Sequence, residues 1–196
     1  MNDKVKILII EGCDRSGKDT LINELKNDYE KVLVLHSGIP SNDDTKDLYS
    51  YYYDNLIHNT LNAYYNTDND LVIHNRSMYG EYVYGTKYRS EDKESVLKTI
   101  SNLEASQLNT FIRKDQLYFV LLSSTDPSVL ANNDDGNSYS SKVNDIQDEL
   151  NLFKEVFDRS KIKNKKIVYV NDGPNFRSKR DIYNDVSSFI NNKWGD

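Results

Sequence analysis

The chain has 196 residues, a formal net charge of −6 and a single cysteine, Cys13. This length is enough to bury one hydrophobic core, which predicts a single domain over residues 1–196. The negative charge argues against a nucleic-acid partner, and one cysteine cannot form an internal disulfide. No apolar run approaches the roughly 20 residues that cross a bilayer, so we expect no membrane role and a cytoplasmic location.

Short apolar runs alternate with segments of helical spacing along the chain. The runs predict five strands, at residues 6–11, 31–35, 70–74, 116–122 and 166–170. Helical spacing predicts helices from Gly17 onward and over residues 47–65, 90–112 and 179–192. Strands alternating with helices predict an α/β fold in which helices flank a parallel five-stranded sheet.

One long polar stretch, residues 126–144, separates the fourth and fifth predicted strands. Such an insert in an α/β enzyme is typical of a lid that closes over substrate. A solvated loop without a function is the alternative.

A glycine-rich segment follows the first predicted strand and opens the first helix. Gly12 to Lys18 fits the pattern G-x-x-x-x-G-K of the phosphate loop of nucleotide-binding proteins. Glycines allow the backbone amides to face phosphate oxygens, and the lysine reaches the β- and γ-phosphates. The segment predicts a P-loop NTPase-type fold and an ATP site formed by Gly12, Asp14, Ser16, Gly17, Lys18, Asp19 and Thr20.

The position after Lys18 departs from that pattern. A serine or threonine usually stands there and binds Mg²⁺, whereas this chain has Asp19, followed by Thr20. A carboxylate is also a hard oxygen ligand, so Asp19 is the predicted metal residue.

The loop E-G-C-D-R-S-G-K-D-T, Glu11 to Thr20, resembles that of thymidylate kinases. The resemblance implies that Asp14 accepts a hydrogen bond from the 3′-hydroxyl of the acceptor nucleotide. It also implies that Arg15 neutralises charge on the transferred phosphoryl group, as in the branch of the family whose lid lacks catalytic arginine. Residues 126–158 contain no arginine, in agreement with that branch.

A second resemblance lies in L-V-I-H-N-R-S-M-Y-G-E-Y-V-Y-G-T-K-Y-R, Leu71 to Arg89, which is similar to the third strand and D-R motif of the viral and phage branch. It implies that Arg76 clamps the acceptor monophosphate, a role that suits a guanidinium group. The aspartate of the motif is replaced by Asn75. We hypothesise that the metal-side carboxylate has moved from the third strand to Asp19, with loss of catalysis as the rival interpretation.

The same resemblance points to Tyr51 as a residue that stacks on the acceptor base. Asn55 shares a helix face with Tyr51 and stands where the family has a second phosphate-binding arginine. Arg89 is the candidate to replace that arginine. A tyrosine that only packs in the core is the alternative for Tyr51.

These observations predict an ATP- and Mg²⁺-dependent deoxynucleoside monophosphate kinase, with Lys18, Arg15 and Arg76 as catalytic residues and dTMP as the default acceptor. A nucleotide-binding regulator without catalysis is the alternative from another class. A deoxynucleoside kinase is disfavoured, because His36 to Pro40 offers no carboxylate base after the second strand. Family members commonly pair as dimers, so the resemblance allows a homodimer.

Overall fold

The computed structural model describes residues 5–38, 40, 47–66, 69–133 and 140–191. Five parallel strands form one sheet in the spatial order β2-β3-β1-β4-β5. The strands are β1 (Lys6–Gly12), β2 (Val32–His36), β3 (Leu71–Asn75), β4 (Leu117–Ser123) and β5 (Asn164–Tyr169). The predicted parallel five-stranded sheet is confirmed.

Helices flank this sheet in two groups. One group joins α1 to α9, and the other joins α4 to α5 and α8. The helices are α1 (Lys18–Lys26), α2 (Leu48–Tyr52), a π-helix (Tyr53–His58), α3 (Asn59–Asn66), α4 (Met78–Tyr88), α5 (Lys93–Ser106), α6 (Asn109–Arg113), α7 (Pro127–Ala131), α8 (Val143–Arg159) and α9 (Lys179–Asn191). A short antiparallel hairpin, β6 (Asn171–Asp172) and β7 (Asn175–Phe176), follows β5. Within the described ranges, none of the helices combines the length and the apolar character needed to cross a bilayer.

The middle of the sheet holds the core and positions the site. Strands β3 and β4 are buried along their whole length, because helices cover both of their faces. Strand β1 runs between them and pairs Ile10 with Asn75 on one side and Gly12 with Leu122 on the other. The carboxyl ends of three parallel strands therefore meet at one edge, where α/β proteins bind their ligands.

Two of the predicted helices differ in detail. The helix predicted over 47–65 is interrupted by the π-helix, which changes the spacing of side chains along it. The single helix predicted over 90–112 is wrong. Ser90 has a left-handed φ of 58°, and the carboxylate of Asp92 caps α5 by accepting a hydrogen bond from the backbone of Ser95. A break after Ser106 then separates α5 from α6.

Candidate active site

The segment between β1 and α1 is a tight loop. Gly12 has φ 151° and Gly17 has φ 86°, angles that favour glycine. A Cβ on Gly12 would lie 2.4 Å from the backbone oxygen of Leu122, so the neighbouring strand also requires glycine there. Arg15 lies between them with a left-handed φ of 67°. The loop leads directly into the N-terminus of α1, where an anionic phosphate is stabilised.

Lys18 is the first residue of α1, and its ammonium group folds back into the loop. Its Nζ donates hydrogen bonds to the backbone oxygens of Gly12 (2.7 Å) and Cys13 (2.8 Å). Burial lowers the pKa of Lys18, and the positive charge of Arg76 lowers it further. The ammonium therefore places a positive charge inside the loop, at the position suited to phosphate oxygens.

The other predicted ATP residues surround this lysine. Ser16 is buried, and its Oγ has no hydrogen-bond partner among the described residues. Gly17 and Asp19 are exposed at the start of α1, and Thr20 is partly exposed beside them. The predicted nucleotide residues thus occupy one continuous loop and the first turn of one helix.

Arg76 lies directly after β3 and contacts the loop. Its φ is 66°, in the left-handed region, and its guanidinium donates a hydrogen bond of 2.8 Å to Oδ1 of Asp14. The Arg76 side chain is 37% exposed, so it remains accessible to a ligand. The structure thus joins Asp14 and Arg76, which the sequence places 62 positions apart.

Asp19 and Asn75 also meet at this edge of the sheet. Nδ2 of Asn75 donates a hydrogen bond of 2.6 Å to Oδ1 of Asp19, and Oδ1 of Asn75 is buried without a hydrogen-bond partner in the described part of the chain. An exposed carboxylate next to an unpaired amide oxygen is a pair of hard donors, which fits Mg²⁺. In the described ranges, no group of three or more His, Cys, Asp or Glu side chains forms a fuller ligand set.

An open cleft lies beside Arg76. It is lined by Ser37, Gly38, Pro40, Tyr52, Arg76, Ser77, Gly80, Glu81, Tyr84 and Arg89. The cleft therefore contains both arginines that were predicted to bind the acceptor.

Arg89 is held in the cleft by a buried carboxylate. Its guanidinium donates a hydrogen bond of 2.5 Å to Oε1 of Glu81, and the hydroxyl of Tyr52 donates one of 2.9 Å to Oε2 of Glu81. Gly85 leaves room for this arrangement, since a Cβ there would lie 2.4 Å from Oε1 of Glu81. Arg89 thus reaches back along α4 toward the residues that follow Arg76.

Tyr51 is not among the residues that line the cleft, and its role in stacking on the acceptor base stays a prediction. Its hydroxyl donates a hydrogen bond of 3.1 Å to the backbone oxygen of Gly38 at the rim, and Tyr52 forms the wall instead. The π-helix that begins at Tyr53 also removes the regular spacing on which the pairing of Tyr51 with Asn55 depended. Asn55 donates its amide to the backbone oxygen of Tyr51.

The predicted lid is described only at its two ends, because residues 134–139 lie outside the described ranges. Its first end forms α7, and its second end leads into α8. Arg15 donates a hydrogen bond to the backbone oxygen of Ser140, so the loop contacts the second end of the segment directly. Glu149 on α8 shares a hydrogen bond with the thiol of Cys13 and accepts one of 2.5 Å from the hydroxyl of Tyr88.

Three residues of this site were not selected from the sequence: Glu11, Glu81 and Tyr52. Glu11 is the one acidic residue at the end of an otherwise apolar strand, a signal that could have identified it. Glu81 and Tyr52 lie in tyrosine-rich segments, and only the fold shows that their side chains meet. A glutamate one helical turn before a glycine, as Glu81 is before Gly85, is too common to be a signal.

A glycine-rich loop between the central strand of a parallel sheet and a helix is typical of the P-loop fold. The sequence matches no protein-family model and no curated protein. Solved structures share the fold at low sequence identity, and three of them are described next.

The YorR protein of Bacillus subtilis, solved in complex with phosphorylated GDP, superimposes with a TM-score of 0.64 at 20% identity, over 97% of this chain and 99% of that one. Thymidylate kinase from Candida albicans gives 0.65 at 14% identity, over 97% and 93%. Polyphosphate kinase 2 from Arthrobacter aurescens gives 0.61 at 11% identity, over 96% and 66%. These likenesses establish the fold and leave the substrate to be argued from the site.

Proposed function

We propose that the protein transfers the γ-phosphoryl group of ATP to a deoxynucleoside 5′-monophosphate, with dTMP as the leading acceptor. The observation that carries the proposal is the position of Arg76. Its guanidinium lines the cleft and also bonds to Asp14 of the phosphate loop. A group in that position can contact an acceptor phosphate while it stays beside the donor phosphates.

The loop supplies the positive charge that phosphoryl transfer requires. Charge spreads over the transferred oxygens in the transition state, and fixed cationic groups stabilise it. Lys18 lies inside the loop, Arg15 follows Asp14 along the chain, and Arg76 donates a hydrogen bond to Asp14. Arg15 also donates a hydrogen bond to the second end of the predicted lid. This position supports a role for Arg15 like that of the loop arginine in the branch of the thymidylate kinases whose lid lacks a catalytic arginine.

Asp19 and Asn75 are the residues that would hold Mg²⁺. Mg²⁺ bound there would supply positive charge that neutralises phosphate oxygens. The contact between Asp19 and Asn75 supports the hypothesis that the metal-side carboxylate has moved to the loop, because the carboxylate of Asp19 lies next to the position on the third strand that it would replace. An acceptor phosphate is already anionic, so the reaction needs no general base.

The test is turnover with each acceptor. The protein is incubated with ATP, Mg²⁺ and each of dTMP, dUMP, dCMP, dGMP and dAMP, and the deoxynucleoside diphosphates are measured. Turnover of one or two acceptors supports the proposal and names the base. ATP binding without a diphosphate product from any acceptor contradicts it and favours a nucleotide-binding regulator.

The moved-carboxylate hypothesis is tested with Asp19→Ser, Asn75→Asp and the double variant. We expect each single variant to lose most activity and the double variant to recover part of it, since the double variant restores the usual hydroxyl and carboxylate. A double variant no more active than the singles contradicts the hypothesis.

A further inference from the structure

Glu11 is a buried carboxylate that joins the phosphate loop to the helix behind Arg76. It is the residue before Gly12 and is 1% exposed. Its Oε1 accepts two hydrogen bonds from Ser77, one from the backbone N–H (2.6 Å) and one from the hydroxyl (2.7 Å). The backbone N–H of Gly80 donates to the same carboxylate. Glu11 therefore binds the N-terminus of α4 from the side of β1.

These contacts fix the backbone around Arg76. The N–H of Arg76 donates to the backbone oxygen of Ile10 (3.3 Å), and the next residue, Ser77, is bound by Glu11. Two consecutive residues of β1 thus hold the two peptide units that flank Arg76. Its left-handed φ of 66° is unfavourable for a residue other than glycine, and such a conformation persists only where its surroundings enforce it.

We propose that Glu11 is a positioning residue that keeps the guanidinium of Arg76 in register with the phosphate loop, so that acceptor binding depends on the ionised state of Glu11. This inference rests on the proposed function, because it takes the acceptor phosphate as the ligand of Arg76.

The ionised carboxylate accepts all three hydrogen bonds, whereas a protonated one must use an oxygen as a donor. Burial raises the pKa of Glu11 to about 7, while the hydrogen bonds from Ser77 and the positive charge of Lys18 oppose that rise. The other titratable groups that interact with Glu11 are the hydroxyls of Tyr52 and Tyr79, and burial raises the pKa of each, so both stay neutral. Around pH 7 the hydrogen bonds of Glu11 to Ser77 and Gly80, which hold the backbone around Arg76, therefore change from stronger (ionised Glu11) to weaker (protonated Glu11).

The experiment measures the dissociation constant of dTMP by calorimetry, with a non-hydrolysable ATP analogue and Mg²⁺ present, from pH 6 to pH 8.5. It compares the wild type with Glu11→Gln. The matched control is Glu104→Gln, which alters another buried carboxylate that accepts hydrogen bonds from a serine hydroxyl and a backbone N–H but lies outside the cleft. Ionisation of the dTMP phosphate affects all three proteins equally, so it cancels when the dissociation constant of each variant is divided by that of the wild type.

For Glu11→Gln, we expect weaker dTMP binding than the wild type by about tenfold at pH 8, a loss of roughly 1.4 kcal/mol. At pH 6 the two should bind about equally, because wild-type Glu11 is then protonated. The ratio of the Glu104→Gln dissociation constant to the wild-type one should not change with pH. A Glu11→Gln ratio that stays constant across the range, or that follows the Glu104→Gln ratio, overturns the inference.

Ser77→Ala gives a second approach that keeps the carboxylate. The hydrogen bond from Ser77 lowers the pKa of Glu11, so its loss should move the pH transition in dTMP binding upward. A transition at an unchanged pH contradicts the proposed role. A wild type that turns over an acceptor but lacks any such transition refutes only the role of Glu11, whereas a wild type that neither binds nor phosphorylates any acceptor refutes the proposed function as well.

Discussion

Glu11 also makes a prediction about folding that needs no ligand. Its pKa is about 7 in the folded protein, against 4.5 for a solvated glutamate. Between those two values the folded state holds a proton that the unfolded state has already released. Stability therefore falls as the pH rises from about 4.5 to 7 and levels off above that. At about 1.4 kcal/mol for each pH unit, the loss comes to about 3 kcal/mol.

Replacing Glu11 with glutamine removes the titrating group and keeps its shape. We expect Glu11→Gln and the wild type to have similar free energies of unfolding at pH 5, where both side chains are neutral. At pH 8 the variant should be more stable by about 3 kcal/mol. The assay is urea denaturation at half-unit pH intervals, with equal m-values showing that the two proteins unfold in the same way. Curves that run parallel across this range would refute the reasoning.

Four further substitutions test the packing of the site. Gly12→Ala should lower the free energy of unfolding by about 2–4 kcal/mol, because its Cβ would lie 2.4 Å from a backbone oxygen of β4; urea denaturation measures this, and a stability within error of wild type contradicts it. Gly85→Ala should raise the dTMP KM about tenfold by displacing the carboxylate of Glu81, while the helix propensity of alanine limits the loss of stability. An unchanged KM would exclude that displacement. Tyr52→Phe should destabilise the protein by about 1–3 kcal/mol, because it leaves an oxygen of Glu81 unpaired. Tyr51→Phe should destabilise it by less than about 1 kcal/mol, because the hydrogen-bond partner of Tyr51 lies at the exposed rim of the cleft. Equal losses in thermal unfolding would contradict the assignment of Tyr52 to the wall.

The strands could be predicted because each is a short apolar run, and the structure places every one within two residues of its predicted ends. Helix α4 could not. Its residues from Met78 to Gly85 are all buried, so no polar face produces a helical pattern. Helix α8 does carry that signal, with Ile146, Leu150 and Phe153 on its buried side, but its start overlaps the polar stretch that was interpreted as a lid.

For the site, the sequence could predict that the residues of the loop motif lie together, because the loop pattern is local, and their roles in binding nucleotide stay predictions. Contacts between motifs were harder. The meeting of Asp14 with Arg76 follows from the order of the strands, which the sequence does not give. Tyr51 was predicted from the family resemblance together with Asn55, and a shared helix face for these two residues assumes regular helical spacing, which the π-helix interrupts. The neighbouring tyrosine faces the cleft instead.

The folded-back lysine has a consequence for which nucleotides the loop prefers. Nζ of Lys18 already has two partners, the backbone oxygens of Gly12 and Cys13. A phosphate ligand must therefore displace these two backbone oxygens to bond with Lys18. The lysine adds to the binding free energy only if phosphate oxygens replace both hydrogen bonds, each worth about 1.5–3 kcal/mol for a charged donor. A nucleotide with too few phosphates leaves the lysine where it is and gains nothing from it. We therefore expect the loop to bind nucleotides more tightly when their phosphate chain is long enough to replace the backbone oxygens at Nζ of Lys18.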